Sequence, residues 1–400
     1  MLLVAVLCWL AAGCTSAKTT VTTTTATTST AASSSAVPPP TIAANSGFVT
    51  RSGRQLLLDG KQFRFVGANL YDAAGSDRYS CNAGNRLSDA ALLATLRYLH
   101  DSAGATVLRF WAYQTYTAGG TDFSGTDRFI AAARKAGLRV MPVLEDGPGD
   151  CSTGKPGVSL ADADGGTWFA EGYKQPYGTA RRSYRDYVQV MAQHYRDNPT
   201  IVAWTMVNEA ETPARDTADR PVLAAFAADV AAVIHAADPR HLVTLGTQGN
   251  GAPGASGKDF AAVYGQDGLD LTEVHDWNRY GSDTEAMPGS KDGSLPREDS
   301  AQCRATDAKI ACSFAIAQQL GKPIVVGEAG VEATDAAGRA RRADLLGAKM
   351  KAAFAANASG YLVWHLNRGA TDNLDVIPGI QGQDEPLFGV MSGVAKGLQP

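Results

Sequence analysis

The sequence predicts an α/β fold: a (β/α)8 TIM barrel forming a single domain, entered through a short N-terminal β-hairpin. Three observations point to it. Eight short β-rich runs recur between residues 63 and 367, helical patterns separate most of them, and polar and aromatic residues gather where each run ends. Alternating strand–helix units give a parallel sheet, and eight of them favour closure into a barrel. No glycine-rich dinucleotide fingerprint follows the first strand, which weighs against an open doubly wound sheet.

In chain order, residues 1–17 read as an export signal. MLLVAVLCWLAAG is almost wholly apolar yet too short to span a bilayer. Two endings stay open. Leu10-Ala-Ala-Gly-Cys14 resembles a lipobox, which would make Cys14 a lipidated first residue and a membrane tether; an ordinary signal would instead be cut after Ala17. The expected location is therefore secreted or extracellular, or a cell-membrane lipoprotein. Residues 18–46 are a Thr/Ser/Pro-rich linker with little to bury and are expected to stay disordered.

The folded domain is placed at 47–400. FVTRSGRQLLLDGKQ (48–62) reads as a hairpin that plugs the barrel floor. Strands are expected at 63–70, 106–113, 139–146, 201–209, 242–249, 271–277, 322–330 and 360–367. Between the first two strands lies LSDAALLATLRYLHDSAG, a helix with Ser88 as N-cap and Gly104 as C-cap. Further helical patterns cover 127–137, 179–196, 214–237 and 339–357.

Composition narrows the function. A formal charge of -4, with no basic cluster interleaved with aromatics, gives no argument for nucleic acid or an anionic surface. None of the six histidines falls in a His-Glu-x-x-His pattern, and there is no Cys-x-x-Cys, so a metal site built from local spacing is not expected. The chain is expected to be a monomer. Four cysteines remain in the folded part, and an even number in an exported chain favours disulfides. Cys303 with Cys312 and Cys81 with Cys151 are the expected pairs, buried free thiols being the alternative.

The chemistry concentrates at the strand ends, where barrel enzymes build their sites. Glu209 ends the fourth strand and Glu328 the seventh, across the mouth from each other. Two carboxyl groups so placed suit cleavage of a glycosidic bond, one protonating the leaving oxygen and the other attacking the anomeric carbon. Arg109 is expected to hold Glu328 ionised and leave the proton to Glu209; Asn208 would bond a sugar hydroxyl, and His275 would orient one carboxylate. Asn208 and Glu209 cannot both point inward under strict alternation, so a bulge or rim turn must re-aim one. Glu145, Asp146, Glu211, Glu273, Asp276 and Glu332 are rival carboxylates that spacing alone does not exclude. Trp111, Trp168, Trp277 and Trp364, with Tyr71, Tyr113, Tyr173 and Tyr177, suit a sugar cleft, since aromatic faces stack on pyranose C–H faces. About half of such a set is expected in the core instead. The long 147–177 connection is a candidate cleft wall.

Resemblance selects among the carboxylates. NPTIVAWTMVNEAE around Glu209 resembles the acid/base motif of clan A glycoside hydrolases, and KPIVVGEAG around Glu328 resembles their nucleophile motif. The order of parts over residues 48–367 is similar to glycoside hydrolase family 5, in particular its β-mannanase branch. The resemblance implies a retaining O-glycosyl hydrolase with Glu209 as acid/base and Glu328 as nucleophile. Its substrate would be a β-linked polysaccharide or oligosaccharide, β-mannan first and β-glucan next, and it would use no cofactor. The carboxyl groups should then lie about 5 to 5.5 Å apart. Departures are visible: Glu145-Asp146 stands where the family has a histidine, and His275-Asp276-Trp277 where it has His-x-Tyr, leaving Tyr280 or another residue to replace that tyrosine. The alternative is a catalytically inactive carbohydrate-binding barrel. A barrel of aldolase or metal-hydrolase type would want a strand-end lysine or a histidine/aspartate cluster, and neither is seen.

Overall fold

A computed structural model of the chain describes residues 47–82, 86–146, 151, 166–178, 180–277, 294–367, 373–376 and 385–398. The export signal, Cys14, the linker, Tyr280 and most of the 147–165 connection lie outside the described residues. The chain divides into two units, 1–43 and 44–400, and every described residue belongs to the second.

The expected hairpin is present. β1 (Val49–Ser52) pairs antiparallel with β2 (Gln55–Leu58), which also pairs with β3 (Lys61–Gln62). The barrel strands follow as β4 (Phe65–Asn69), β5 (Val107–Trp111), β6 (Arg139–Val143), β7 (Ala203–Thr205), β8 (Leu242–Thr244), β9 (Thr272–Trp277), β10 (Ile324–Gly330) and β11 (Gly360–Val363). They form one parallel sheet in the order β8-β7-β6-β5-β4-β11-β10-β9. Its two ends meet at a seam bridged by Asp270 N–H to the Val243 carbonyl at 2.9 Å and His275 N–H to the Gln248 carbonyl at 3.1 Å. The predicted TIM barrel is thus observed, nearly closed.

Helix boundaries follow local chemistry. In the helix Asp89–Ala103, the Ser88 side chain accepts from Ala91 N–H, and Gly104 at φ 64° ends it. The pattern at 179–196 narrows to Tyr184–Tyr195, capped by Ser183. The pattern at 214–237 narrows to Val222–Ala237, because Pro221 starts the helix and Arg215 bridges Pro221. The other two expected helices appear as Ser124–Lys135 and Ala336–Ala355. Helices Lys258–Tyr264, Ile310–Gln319 and Pro386–Leu398 were not expected.

Strand alternation sorts side chains into layers. Phe65, Val107, Met141, Leu242, Val325 and Leu362 fill the lower barrel interior, and Val49 and Leu56 of the hairpin close that layer from below. The hairpin is therefore a floor, as expected. Alternate residues such as Leu108, Phe110 and Val326 face the helices in a second core. Both expected disulfides are formed, Cys81–Cys151 and Cys303–Cys312. Among the described residues, no helix is long and apolar enough to cross a membrane.

Candidate active site

Above the apolar floor the barrel interior turns polar. On β5 the inward sequence is Val107, Arg109, Trp111; on β9 it is Glu273, His275, Trp277. Arg109 is fully buried and spreads its guanidinium over four acceptors. Nε donates to Glu273 Oε1 at 3.0 Å, Nη1 to Glu328 Oε1 at 2.7 Å and to Asn69 Oδ1 at 3.3 Å, and Nη2 to the Asn208 carbonyl at 3.2 Å. Thr205 completes the setting by donating to Glu273 Oε2 at 3.1 Å. Burial disfavours the guanidinium charge, but Glu273 and Glu328 more than offset it and raise the Arg109 pKa.

Glu328 reaches the interior through an irregularity. The β9–β10 register shifts between Val326 and Glu328, so Gly327 is an extra residue that turns Glu328 inward. Only glycine fits there: a Cβ on residue 327 would sit 2.2 Å from Glu273 Oε1. Asn208 and Glu209 need no bulge. β7 ends at Thr205, and both residues lie on the loop beyond it. Asn208 N–H donates to the Glu145 carbonyl at 2.7 Å.

The two glutamates meet through His275. Its Nδ1 lies 2.6 Å from Glu209 Oε1 and 3.5 Å from Glu328 Oε2. Gln248 Nε2 donates to Glu209 Oε2 at 2.9 Å. Donor atoms of Glu209, His275 and Glu328 lie within 4.8 Å of one another, close enough to share a cation. Arg109 and the protonated His275 already supply positive charge there.

The electrostatics differ from the expectation in one respect. Arg109 does reach Glu328, but it divides its charge with Glu273. Burial outweighs the opposing pull of His275 and Arg109, and the Glu328 carboxyl is pushed up to about 7. For Glu209, burial is overcome by the hydrogen bonds from His275 and Gln248, which hold it below the ordinary glutamate range. Burial alone would lower His275, yet Glu328 and Glu209 raise it to about 9. The resting proton is therefore on His275 rather than on Glu209.

Most of the predicted aromatic set converges on this site. Tyr71 packs on Trp111 at 4.5 Å between centroids and stacks on Trp364 at 5.7 Å; Trp277 meets Trp364 at 5.8 Å, and Tyr113 stacks on Trp111 at 5.1 Å. Trp168 is a correction. It is 2% exposed and packs with Phe169, Tyr173, Tyr184 and Phe226, among the helices and away from the other tryptophans, so it is core. Tyr173 goes with it.

The rival carboxylates also separate. Asp276 points outward to Lys349 Nζ at 2.5 Å and the Tyr361 hydroxyl at 2.8 Å. Glu273 lies beneath the glutamate pair as the Arg109 anchor. Its signal was legible: alternation on β9 places 273 and 275 on one face. Asp146 stands beside the pair, bonded by Asn208, with its pKa driven well above the aspartate range by burial and by Glu209 and Glu145.

Fold and site together define a class: a (β/α)8 barrel with two glutamates, a histidine and an arginine interlocked at the C-terminal mouth under an aromatic rim. Residues 172–361 match the family model described as GH family 5 beta-mannosidase-like. The chain is 28% identical over 277 residues to the probable mannan endo-1,4-beta-mannosidase C of Aspergillus terreus, covering 60% of this chain and 66% of that one. It is 29% identical over 272 residues to mannan endo-1,4-beta-mannosidase 2 of Oryza sativa subsp. japonica, covering 58% and 57%. The chain thus spans less than two thirds of the length of either relative. The fold is shared with the endo-1,4-beta-mannanase of Rhizomucor miehei at a TM-score of 0.63 and 18% identity, over 88% of this chain and 99% of that one. This chain is similar to glycoside hydrolase family 5, in particular to its β-mannanase branch.

Proposed function

We propose that the protein is a retaining β-glycoside hydrolase acting on a β-linked polysaccharide, β-mannan first and β-glucan next. One observation carries the reading: Glu209 and Glu328 oxygens lie within 4.8 Å of each other at the barrel mouth. That matches a double displacement and leaves too little room for the water that an inverting pair, about 6.5 to 9.5 Å apart, must hold.

In this reading Glu328 attacks the anomeric carbon while the bond to the leaving oxygen breaks. Glu209 gives that oxygen a proton, which it takes from His275 along their 2.6 Å hydrogen bond. Water then attacks the same carbon, passes a proton to Glu209, which returns it to His275, and releases the Glu328 carboxylate. Arg109 keeps Glu328 aimed throughout. Tyr71, Trp111, Trp277 and Trp364 supply flat faces for sugar rings. The two disulfides and the Thr/Ser/Pro-rich segment support export, with Cys14 lipidated or the signal cut after Ala17; the mass of the mature N-terminus decides between these.

The test is reducing-sugar release by the full chain from a panel of β-mannans and β-glucans. Glu328→Gln is expected to lower kcat about a thousandfold or more on every substrate. Glu209→Gln should lose as much on polysaccharide, yet still release a burst of dinitrophenolate from an activated aryl glycoside, whose leaving group needs no proton. Silence of folded wild type across the panel would favour an unusual polysaccharide substrate first and the binding-only barrel second.

A further inference from the structure

We infer that Asp146 is a positioning residue: it holds the Asn208 side chain so that Oδ1, and not Nδ2, is the atom offered to the substrate. The inference rests on the glycosidase reading and deepens it.

Asn208 is fixed at every polar atom but one. Its backbone N–H donates to the Glu145 carbonyl at 2.7 Å, and its carbonyl accepts from Arg109 Nη2 at 3.2 Å. Its side-chain amide bonds the Asp146 carboxyl. Oδ1 is buried and without a partner among the described residues, so the bonding group is Nδ2, which donates to the carboxyl oxygen. The residue itself is 8% exposed. Leaving such an acceptor unpaired is costly, an arrangement explained when a ligand supplies the missing donor.

The surroundings point the same way. Trp111 Nε1 and the Tyr113 hydroxyl are also buried and unpartnered among the described residues, and both side chains belong to the site's aromatic group. Two donors and one acceptor so gathered fit adjacent hydroxyls of a sugar. Glu145 and Asp146 are consecutive, so the loop after β6 grips both the backbone and the side chain of Asn208. In retaining hydrolysis, hydrogen bonds to the sugar 2-hydroxyl strengthen in the transition state. An Asn208 Oδ1 held ready for that hydroxyl acts on kcat as well as on KM. Mannose and glucose differ only at this carbon, so the orientation of Asn208 bears on the choice between them.

The experiment compares dinitrophenyl β-mannoside and β-glucoside with the 2-deoxy glycoside that both become when the 2-hydroxyl is removed. Asp146→Ala should lower kcat/KM about tenfold or more on the intact glycoside that the wild type cleaves, and by no more than about twofold on the 2-deoxy compound. Asp146→Asn, whose side-chain oxygen still accepts from Asn208 Nδ2, should keep most of the wild-type rate. In the double variant with Asn208→Ala the two losses should not add. Equal losses of Asp146→Ala on the two substrates, or no loss on either, would overturn the inference. If the wild type cleaves neither glycoside nor any polysaccharide, the glycosidase reading falls first and takes this one with it.

Discussion

Arg109 and His275 are the two cations on which the site turns, each shared between more than one carboxylate. Arg109 bonds Glu273 and Glu328, while His275 bonds Glu209 and lies 3.5 Å from Glu328. The rate should follow two of these groups with pH. In the proposed reaction Glu328 attacks only when ionised, so kcat/KM should rise as pH climbs through about 7. His275 supplies the proton only when charged, so kcat/KM should fall as pH passes about 9. A pH–rate profile with no limb near neutrality would remove Glu328 as the controlling nucleophile. Both groups are raised above their ordinary values of 4.5 and 6.5, so the native state binds their protons more tightly than the unfolded chain. Their stability contributions are present below those values and are lost as pH rises toward 7 and 9. Unfolding by denaturant at a series of pH values should show wild type losing stability across this alkaline side, with Glu328→Gln losing less.

Two neighbouring strands show how an element aims its side chains. β9 alternates without a break, sending Glu273, His275 and Trp277 inward and Asp276 outward to Lys349 and Tyr361. β10 needs the Gly327 bulge to bring Glu328 to the same face. In Gly327→Ala the new methyl collides with Glu273, whose displacement disturbs Arg109 and through it Glu328. Such crowding costs about 1–3 kcal/mol. Activity should fall more than tenfold, by about the same factor on every substrate, because the proposed nucleophile itself is mis-aimed. A variant with unchanged kcat would show that the bulge does not set Glu328. Behind the wall, Lys349→Met leaves buried Asp276 with the Tyr361 hydroxyl as its partner among the described residues, at a loss of about 3–5 kcal/mol in urea unfolding. Adding Asp276→Leu should return most of that loss, since no buried charge then lacks its partner.

At the scale of the whole molecule, closure is what brings distant residues together. The barrel seam, the hairpin floor and the Cys81–Cys151 disulfide each join parts that are remote in sequence. Cys81–Cys151 spans 70 residues and Cys303–Cys312 spans 9. By the entropy of the loops they close, removing the first should cost about 4 kcal/mol and the second about 2.5 kcal/mol. Paired Cys→Ser variants, unfolded in denaturant, test the ranking. A larger loss from the Cys303–Cys312 pair would show that native-state packing, and not loop closure, governs their worth.

Much of this architecture was legible in the chain. Short β-rich runs located all eight strands, and Ser88 and Gly104 marked a helix at both ends, because these signals depend on neighbours a few residues apart. The motif residues Glu209 and Glu328 were legible too, as was the pairing of Cys303 with Cys312. What the sequence determined by itself was thus the barrel, the order of its parts and the two glutamates proposed to react. Local pattern failed where the third dimension intervenes. MVNE continues an apolar run, yet leaves the strand to meet Arg109 and Glu145. Trp168 has the composition of a cleft residue but packs on Phe226. Only the tertiary structure decided that Gly327 turns Glu328 inward, that Glu273 divides the charge of Arg109, and that the resting proton sits on His275. The physical reason is that charge interactions depend on burial and on separations of a few ångströms. Arg109 and Glu328 acquire theirs across 219 residues of chain, at a distance no local pattern records.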